Sequence, residues 1–144
     1  MAKLRGGVVG ALVLDAAGLT KLAAGDLATR ARFETAKRHR GHIVTAASTL
    51  TEVLRGGQRD AEMHHILRDV EVIGIDGRFG RAAGELLGEA GLSGHRYALD
   101  ALLAVVALAQ RRPVVVLTSD PRDLEKLTEE PDRPKHERVA VVKV

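Results

Sequence analysis

Five short apolar runs alternate along the chain with longer segments of helical periodicity. This alternation is typical of strand–helix–strand units, in which helices cover a mainly parallel sheet. The sequence therefore predicts an α/β fold, a three-layer α/β/α sandwich around a mainly parallel sheet of about five strands. The strands are predicted at 8–14, 42–45, 70–75, 113–118 and 139–143. The helices are predicted at about 19–24, 26–39, 46–55, 59–69, 78–90, 97–110 and 121–128.

Length and composition favour a single domain over residues 1–144, because 144 residues at 45% apolar content suit one hydrophobic core. The absence of cysteine excludes a disulfide framework and suits a cytoplasmic location. Lys3 and Arg5 precede the first apolar run as in a signal peptide, but that run is short and ends at Asp15, which favours a buried strand. No run approaches the roughly 18 apolar residues of a membrane span, so no membrane association is expected.

The charged and aromatic residues limit how nucleic acid could be bound. Phe33, Phe79 and Tyr97 are the only aromatic residues, which disfavours a sheet that stacks bases. The net charge is +3, and the basic excess is concentrated in residues 26–42. That stretch could contact phosphate or could be an ordinary solvated helix face. Its basic residues are Arg30, Arg32, Lys37, Arg38 and Arg40.

Two other segments have unusual compositions. Gly80, Gly84 and Gly88 recur every four residues, and we expect this helix face to pack closely against a neighbour. The charged, proline-containing stretch from Glu129 to Arg138 is predicted to be an exposed loop before the last strand.

Asp100 is the most informative polar residue, because the segment from Ala98 to Ala109 is otherwise almost entirely apolar. A helix that is apolar all round is normally buried, and an isolated buried carboxylate must be protonated, paired or bound to a cation. The alternative is that Asp100 lies in the first helical turn, where free N–H groups favour a negative charge.

Other acids of the chain could lie close to Asp100 in the predicted α/β fold. Asp15 and Asp120 each follow an apolar strand, where open α/β sheets bind their ligands, although either could be an ordinary turn or N-cap residue. Asp123 could share the site of Asp120 or favour the helix N-terminus. Glu52 lies one helical turn after Ser48. Convergence of these acids would suit a hard divalent cation such as Mg²⁺ or Mn²⁺.

The order and surroundings of four acids resemble those of the PIN-domain ribonucleases, in particular the VapC-type toxins of bacterial toxin–antitoxin pairs. The matching segments are Asp15 in VLDAAGL, Glu52 in STLTEVL, Asp100 in ALDALLAVVAL and Asp120 in LTSDPRDL. The resemblance spans nearly the whole chain. It implies an α/β/α fold and a Mg²⁺- or Mn²⁺-dependent endoribonuclease that cleaves single-stranded or loop RNA.

Carried over by position, the resemblance assigns catalytic roles to Asp15, Glu52, Asp100 and Asp120. Asp15, Asp100, Asp120 and Asp123 would be metal ligands, and Thr118 would support them. Family members often have Ser or Thr shortly after the first aspartate, whereas Ala16 and Ala17 stand here. A divalent ion would polarise the scissile phosphate and activate a water, at a site with one ion or two.

The resemblance also implies partners: an RNA substrate, a cognate antitoxin protein and a second copy of the chain in a homodimer. His95 and Arg96 join the basic stretch as candidate RNA contacts. Two alternatives stay open, a PIN-fold RNA-processing nuclease without an antitoxin and a non-catalytic PIN-fold binding module.

Overall fold

In the part of the chain that the structure describes, the sheet has five strands and all are parallel, in agreement with the predicted mainly parallel sheet of about five strands. The computed structural model describes residues 9–144, so Val8, the first residue of the first predicted strand, lies outside the described residues. The strands occur in the order β3-β2-β1-β4-β5, and every neighbouring pair is parallel. They are β1 (Ala11–Leu14), β2 (His42–Ala46), β3 (Glu71–Ile73), β4 (Val114–Thr118) and β5 (Ala140–Lys143).

Helices connect the strands as the sequence predicts, although several of their bounds are displaced by two to four residues. They are α1 (Ala16–Ala23), α2 (Leu27–Arg38), α3 (Leu50–Val53), α4 (Ala61–Leu67), α5 (Gly77–Ala90), α6 (Gly94–Leu108) and α7 (Pro121–Leu127). Short 3-10 turns cover Ala47–Thr49, Gln58–Asp60 and Lys135–Glu137. Helix α1 begins at Ala16 rather than 19, and α6 begins at Gly94 rather than 97. The second shift changes the setting of Asp100.

Both faces of the sheet are covered, which confirms the three layers. Alternate residues of a strand point to opposite faces. Leu12 and Leu14 pack with buried residues of α1, α2 and α4. Ala11 and Val13 pack with buried residues of α5, α6 and α7. The central strands β1 and β4 are buried on both faces, as expected for a parallel sheet.

Strand order places one crevice at the carboxyl edge, the edge of the sheet where the strands end. From β1 the chain builds outward to β2 and β3, whereas β4 and β5 lie on its other side. Open α/β sheets bind ligands at such a switch point, outside the carboxyl ends of the strands. Leu14 is paired with Leu117, and the Asp15 N–H donates to the Leu117 carbonyl at 3.2 Å. Asp15 and the end of β4 therefore border the crevice.

Ion pairs stabilise the opposite edge of the sheet, the amino edge, where the strands begin. Arg112, just before β4, makes a bidentate pair with Glu130 at 2.6 and 2.9 Å, and Arg133 donates to the same carboxylate at 2.9 Å. This contact ties the segment from Glu129 to Arg138 to the rest of the fold. That segment is largely exposed, as predicted, apart from its short 3-10 turn. Within residues 9–144, no helix is long and apolar enough to span a membrane.

The predicted close packing of the glycine stripe is wrong. A Cβ atom at Gly80, Gly84 or Gly88 would meet no other atom within 4 Å, since this face of α5 is exposed. Four-residue spacing shows that glycines share a helix face but does not show that the face is covered. At Gly10, in contrast, a Cβ atom would collide with the carbonyl oxygens of Arg111 and Arg112.

Alanine substitutions at the two kinds of glycine should have opposite effects. We expect Gly84→Ala to raise the free energy of unfolding by about 1 kcal/mol, because alanine favours the helix and has room. We expect Gly10→Ala to lower it by about 1–3 kcal/mol through overpacking against main-chain atoms. Urea denaturation of both variants measures the two changes. Destabilisation by Gly84→Ala would contradict the exposed position of this face.

Candidate functional site

Asp15 enters the crevice directly from β1. Its carboxylate caps α1 by accepting a hydrogen bond from the Gly18 N–H at 2.8 Å, which explains the early start of that helix. Burial raises the pKa of Asp15, and hydrogen bonds from the Thr118 hydroxyl and from the N–H groups of Gly18 and Ala17 oppose that rise. The N-cap alternative is thus correct for Asp15, and the same carboxylate also lies at the crevice.

Asp120 comes from the neighbouring strand and is not used as a cap. It occupies the N-cap position of α7, yet its side chain makes no capping hydrogen bond. Its N–H donates to the Thr118 hydroxyl at 3.2 Å. Thr118 is buried at the end of β4, so it accepts from the main chain of one acid while its hydroxyl hydrogen bonds to the other, Asp15. The Asp120 carboxylate is left exposed toward the crevice.

Asp100 lies well inside a helix, which excludes the first-turn alternative. Because α6 begins at Gly94, the N–H groups at Asp100 are already used within the helix. Burial is the largest cause of its raised pKa, and the charges of Asp123, Asp15 and Asp120 raise it further. Asp100 is therefore a half-buried carboxylate that faces other carboxylates.

Glu52 reaches the same place from α3. Burial raises its pKa first, and the charges of Asp100 and Asp15 add to the rise. The structure thus brings together all five acids that the sequence singled out. We call them the acid cluster: Asp15, Glu52, Asp100, Asp120 and Asp123.

Nothing in the described chain neutralises the acid cluster. The ion pairs found within residues 9–144 all involve other acids. Among residues 9–144, no positive side chain is a cause of the raised pKa of Asp15, Glu52 or Asp100. Like charges that face one another without a cation destabilise the folded state. The fold therefore holds an electrostatic strain that a bound cation would relieve.

The donor set fits a hydrated Mg²⁺ or Mn²⁺ ion. Among the described residues, no three His, Asp or Glu side chains are already gathered at metal-coordinating positions. Mg²⁺ does not require such a cage, because it commonly binds through one or two carboxylates and keeps several waters. Asp15, Asp100, Asp120 and Asp123 would hold the ion, directly or through water.

A buried hydroxyl next to the acids supports this fit. Ser48, in the 3-10 turn that leads into α3, has a buried Oγ atom, and within the described part of the chain this side-chain oxygen lacks a hydrogen-bond partner. The turn packs against α6, the helix that carries Asp100. Such an atom normally binds ordered water or an ion. Ala16 and Ala17, after β1, lack a hydroxyl, and Ser48 offers one from the turn after β2.

The predicted basic stretch lies elsewhere. Helix α2 runs back between two parallel strands, so its last turn and Arg40, just before β2, lie at the amino edge. Lys37 there pairs with Asp69 at 3.1 Å. Lys37, Arg38 and Arg40 therefore do not border the acid cluster, and their location does not support the predicted phosphate contact. Arg30 and Arg32 lie earlier on this helix, one exposed and one partly buried.

Other cations do lie on the acidic side. His95 and Arg96 are exposed in the first turn of α6, at the end of that helix nearer the carboxyl edge. Arg96 is one turn before Asp100 and lies over the Tyr97 ring at 5.3 Å. Sequence reasoning overlooked Arg55 and Arg59, which follow the helix of Glu52. Their closeness in sequence to that acid was the available signal.

Removing the charge of Asp100 should change how stability depends on pH. Its pKa is raised in the folded state, so without metal the folded protein binds protons that the unfolded chain releases. We expect Asp100→Asn to exceed the parent in stability near pH 7, with a difference that shrinks as pH falls through the raised pKa toward the ordinary value of 3.8. Urea denaturation in chelator from pH 4 to about 8 measures it. Asp132→Asn, in the exposed loop, is the control. A difference in stability between Asp100→Asn and the parent that does not depend on pH would contradict the electrostatic strain in the acid cluster.

No family model matches the sequence, and no curated protein matches it. Solved structures do match the fold. One is a chain in the crystal structure of VapBC2 from Rickettsia felis bound to a DNA fragment from their promoter, with a TM-score of 0.68 and 16% identity over 93% of this chain and 98% of that one. Another belongs to a toxin–antitoxin complex from Klebsiella pneumoniae, with a TM-score of 0.56 and 17% identity over 78% of this chain and 88% of that one. The chain therefore shares the fold of these proteins, in agreement with the PIN-like α/β/α architecture predicted from its sequence.

Proposed function

We propose that the protein is a metal-dependent endoribonuclease of the VapC type, the toxin of a toxin–antitoxin pair. The single observation that carries the proposal is the unneutralised acid cluster at the switch point of the sheet. The fold shared with proteins from toxin–antitoxin complexes supports it. A non-catalytic scaffold would not need Asp100 inside a helix, nor an N-cap aspartate that caps nothing.

The residues of the site have separate proposed roles. Asp15, Asp100, Asp120 and Asp123 would hold Mg²⁺ or Mn²⁺, which when bound polarises a phosphate and favours ionisation of water. Thr118 orients two of these acids through its hydrogen bonds. Glu52, which is exposed on α3, would orient the attacking water and accept its proton. Water would attack the phosphorus atom in line with the P–O bond to the leaving ribose oxygen; that bond would break, and the leaving oxygen would take up a proton from solvent.

Single-stranded or loop RNA is the proposed substrate. The crevice is an open edge of the sheet, and the side chains around it include exposed cations such as Arg96. With only three aromatic residues in the chain, the affinity would come from the phosphate backbone rather than from base stacking.

Cleavage of RNA should require both the metal and the acids. We expect a labelled single-stranded RNA to be cut in Mg²⁺ or Mn²⁺, and cutting to fall by at least about a hundredfold in Asp15→Asn and in Asp100→Asn, as when an essential catalytic group is lost. Asp132→Asn should cut like the parent. Cleavage that persists in chelator, or in both site variants, would contradict the proposal.

Metal binding is measured separately from cleavage by thermal melting. A Mn²⁺ concentration a hundredfold above Kd should stabilise the parent by about 2.7 kcal/mol. Asp15→Asn/Asp100→Asn should barely respond. Equal shifts in both proteins would place the metal elsewhere.

The antitoxin partner is proposed from the negative charge of the acid cluster. An antitoxin segment would insert an Arg or Lys side chain into the acid cluster, because exposed carboxylates form strong charge-assisted hydrogen bonds with such groups. A PIN-fold nuclease without an antitoxin would act on RNA in the same way but would lack this partner.

The isolated chain should form a homodimer. We expect light scattering at tens of micromolar to give a mass near twice the 15.4 kDa of one chain. A strict monomer would count against the dimer and leave the proposed catalysis untouched.

A further inference from the structure

The segment between α3 and α4 is a loop with a defined conformation. Gly56 and Gly57 have φ angles of +92° and +81°, which glycine adopts readily and other residues rarely. Asp60 is buried, only 4% exposed, and its carboxylate accepts hydrogen bonds from the N–H groups of Gly56 at 2.5 Å and Arg55 at 2.9 Å. The Gly56 hydrogen bond lowers the pKa of Asp60, so this carboxylate is ionised and organises the loop from inside.

Two arginine side chains are held against the outside of this loop. The Nη1 group of Arg55 donates to the carbonyls of Thr51 and Leu54 at 2.8 and 2.7 Å. Arg59 donates from Nε to the Gly56 carbonyl at 3.1 Å and from Nη2 to the Arg55 carbonyl at 3.0 Å. These bonds restrain both guanidinium groups without cancelling their charge. Because a guanidinium has five N–H donors, both retain free donors.

Neither guanidinium forms an ion pair within residues 9–144. Arg55 and Glu52 are three residues apart across the end of α3, a spacing at which opposite charges commonly pair. Instead, main-chain carbonyls hold Arg55, and Glu52 is influenced by Asp100 and Asp15. The arginines thus lie on the loop that follows the helix of Glu52, and they do not neutralise the acid cluster.

We propose that the loop formed by residues 54–60 binds backbone phosphates of single-stranded RNA next to the acid cluster. The inference rests on the proposed function, because it concerns how that substrate is held. If one phosphate lies at the acids, the neighbouring phosphates need cations beside them. Restrained guanidinium groups suit this role, since their planar donors match phosphate oxygens and little side-chain entropy remains to be lost. Buried Asp60 is a positioning residue for both.

The test is RNA affinity against salt concentration, with a short labelled polyuridine strand. The Asp100→Asn background prevents cleavage. In that background we expect Arg55→Gln/Arg59→Gln to weaken binding and to reduce the log–log salt slope by about 1.4, because each lost contact with a single strand removes about 0.7. The control is Arg38→Gln/Arg40→Gln, which removes the same charge at the amino edge and should leave the slope unchanged.

Asp60→Ala adds a second test, in which a net-charge effect and the proposed loop site predict opposite changes in RNA affinity. Removing a negative charge should strengthen RNA binding if only net charge matters. We expect weaker binding, because the loop loses the acceptor that orders it. Since Asp60→Ala could fail to fold, its melting curve is recorded first. The test with Arg55→Gln/Arg59→Gln does not depend on this variant, because both arginines are exposed.

The outcomes separate this inference from the proposed function. Binding with an unchanged slope in Arg55→Gln/Arg59→Gln overturns the loop site but leaves the nuclease. Equal reductions in both arginine pairs also overturn it, because they indicate a general charge effect. If the Asp100→Asn protein binds no RNA and the parent cuts none, both proposals fail. If the loop variants lose binding to an acidic peptide but not to RNA, the ligand is a protein.

Discussion

Parallel strand pairing is the constraint on which the rest of this structure depends. Because all five strands run in one direction, every loop that leaves a strand end emerges at the same edge. The adjacency of β1 and β4 then sets Asp15 next to Thr118 and Asp120, while α3 and α6 bring Glu52 and Asp100 from either side. No local preference of these residues would assemble five negative charges. The packed sheet imposes their proximity against their mutual repulsion.

The two edges of the sheet differ in how they treat charge. At the amino edge, acids are neutralised: Glu130 is held between Arg112 and Arg133, and Asp69 pairs with Lys37. Hydrogen bonding and the charges of Arg112 and Arg133 outweigh burial and lower the pKa of Glu130. At the carboxyl edge the acids face one another, and the pKa values of Asp15, Glu52 and Asp100 are raised, with burial as the largest cause. Neutralised acids and mutually repelling acids are thus located at opposite ends of the same strands.

Most of the fold could be predicted from the sequence, because buried parallel strands and capped helices have strong local patterns. The five strands were located closely, and the acids were identified by their position after strands or inside an apolar helix. The residues at which helices begin were harder to predict. Gly94 and His95 carry no strong helix signal, so α6 was predicted to begin late and Asp100 could not be separated from a first-turn residue.

The errors share a physical origin, since a residue pattern gives local geometry and not location. The spacing of Gly84 from its neighbours shows a common face but does not show what covers it. The basic residues of α2 form a compact stretch in the sequence, but a helix between parallel strands must run back, so its last turn lies away from the strand ends. Asp60 was missed because its partners are main-chain N–H groups, which no side-chain motif records.

The strain in the acid cluster also affects how this protein would change over generations. Residues that a fold needs are normally protected by the cost of losing them, but neutral replacements of Asp100 would relieve repulsion instead of creating it. For an acid that caps no helix, such as Asp100, selection for the proposed function would then keep the carboxylate in place, whereas Asp15 also caps α1. A gene copy released from that selection is expected to lose Asp100 early and to go on encoding a well-folded protein.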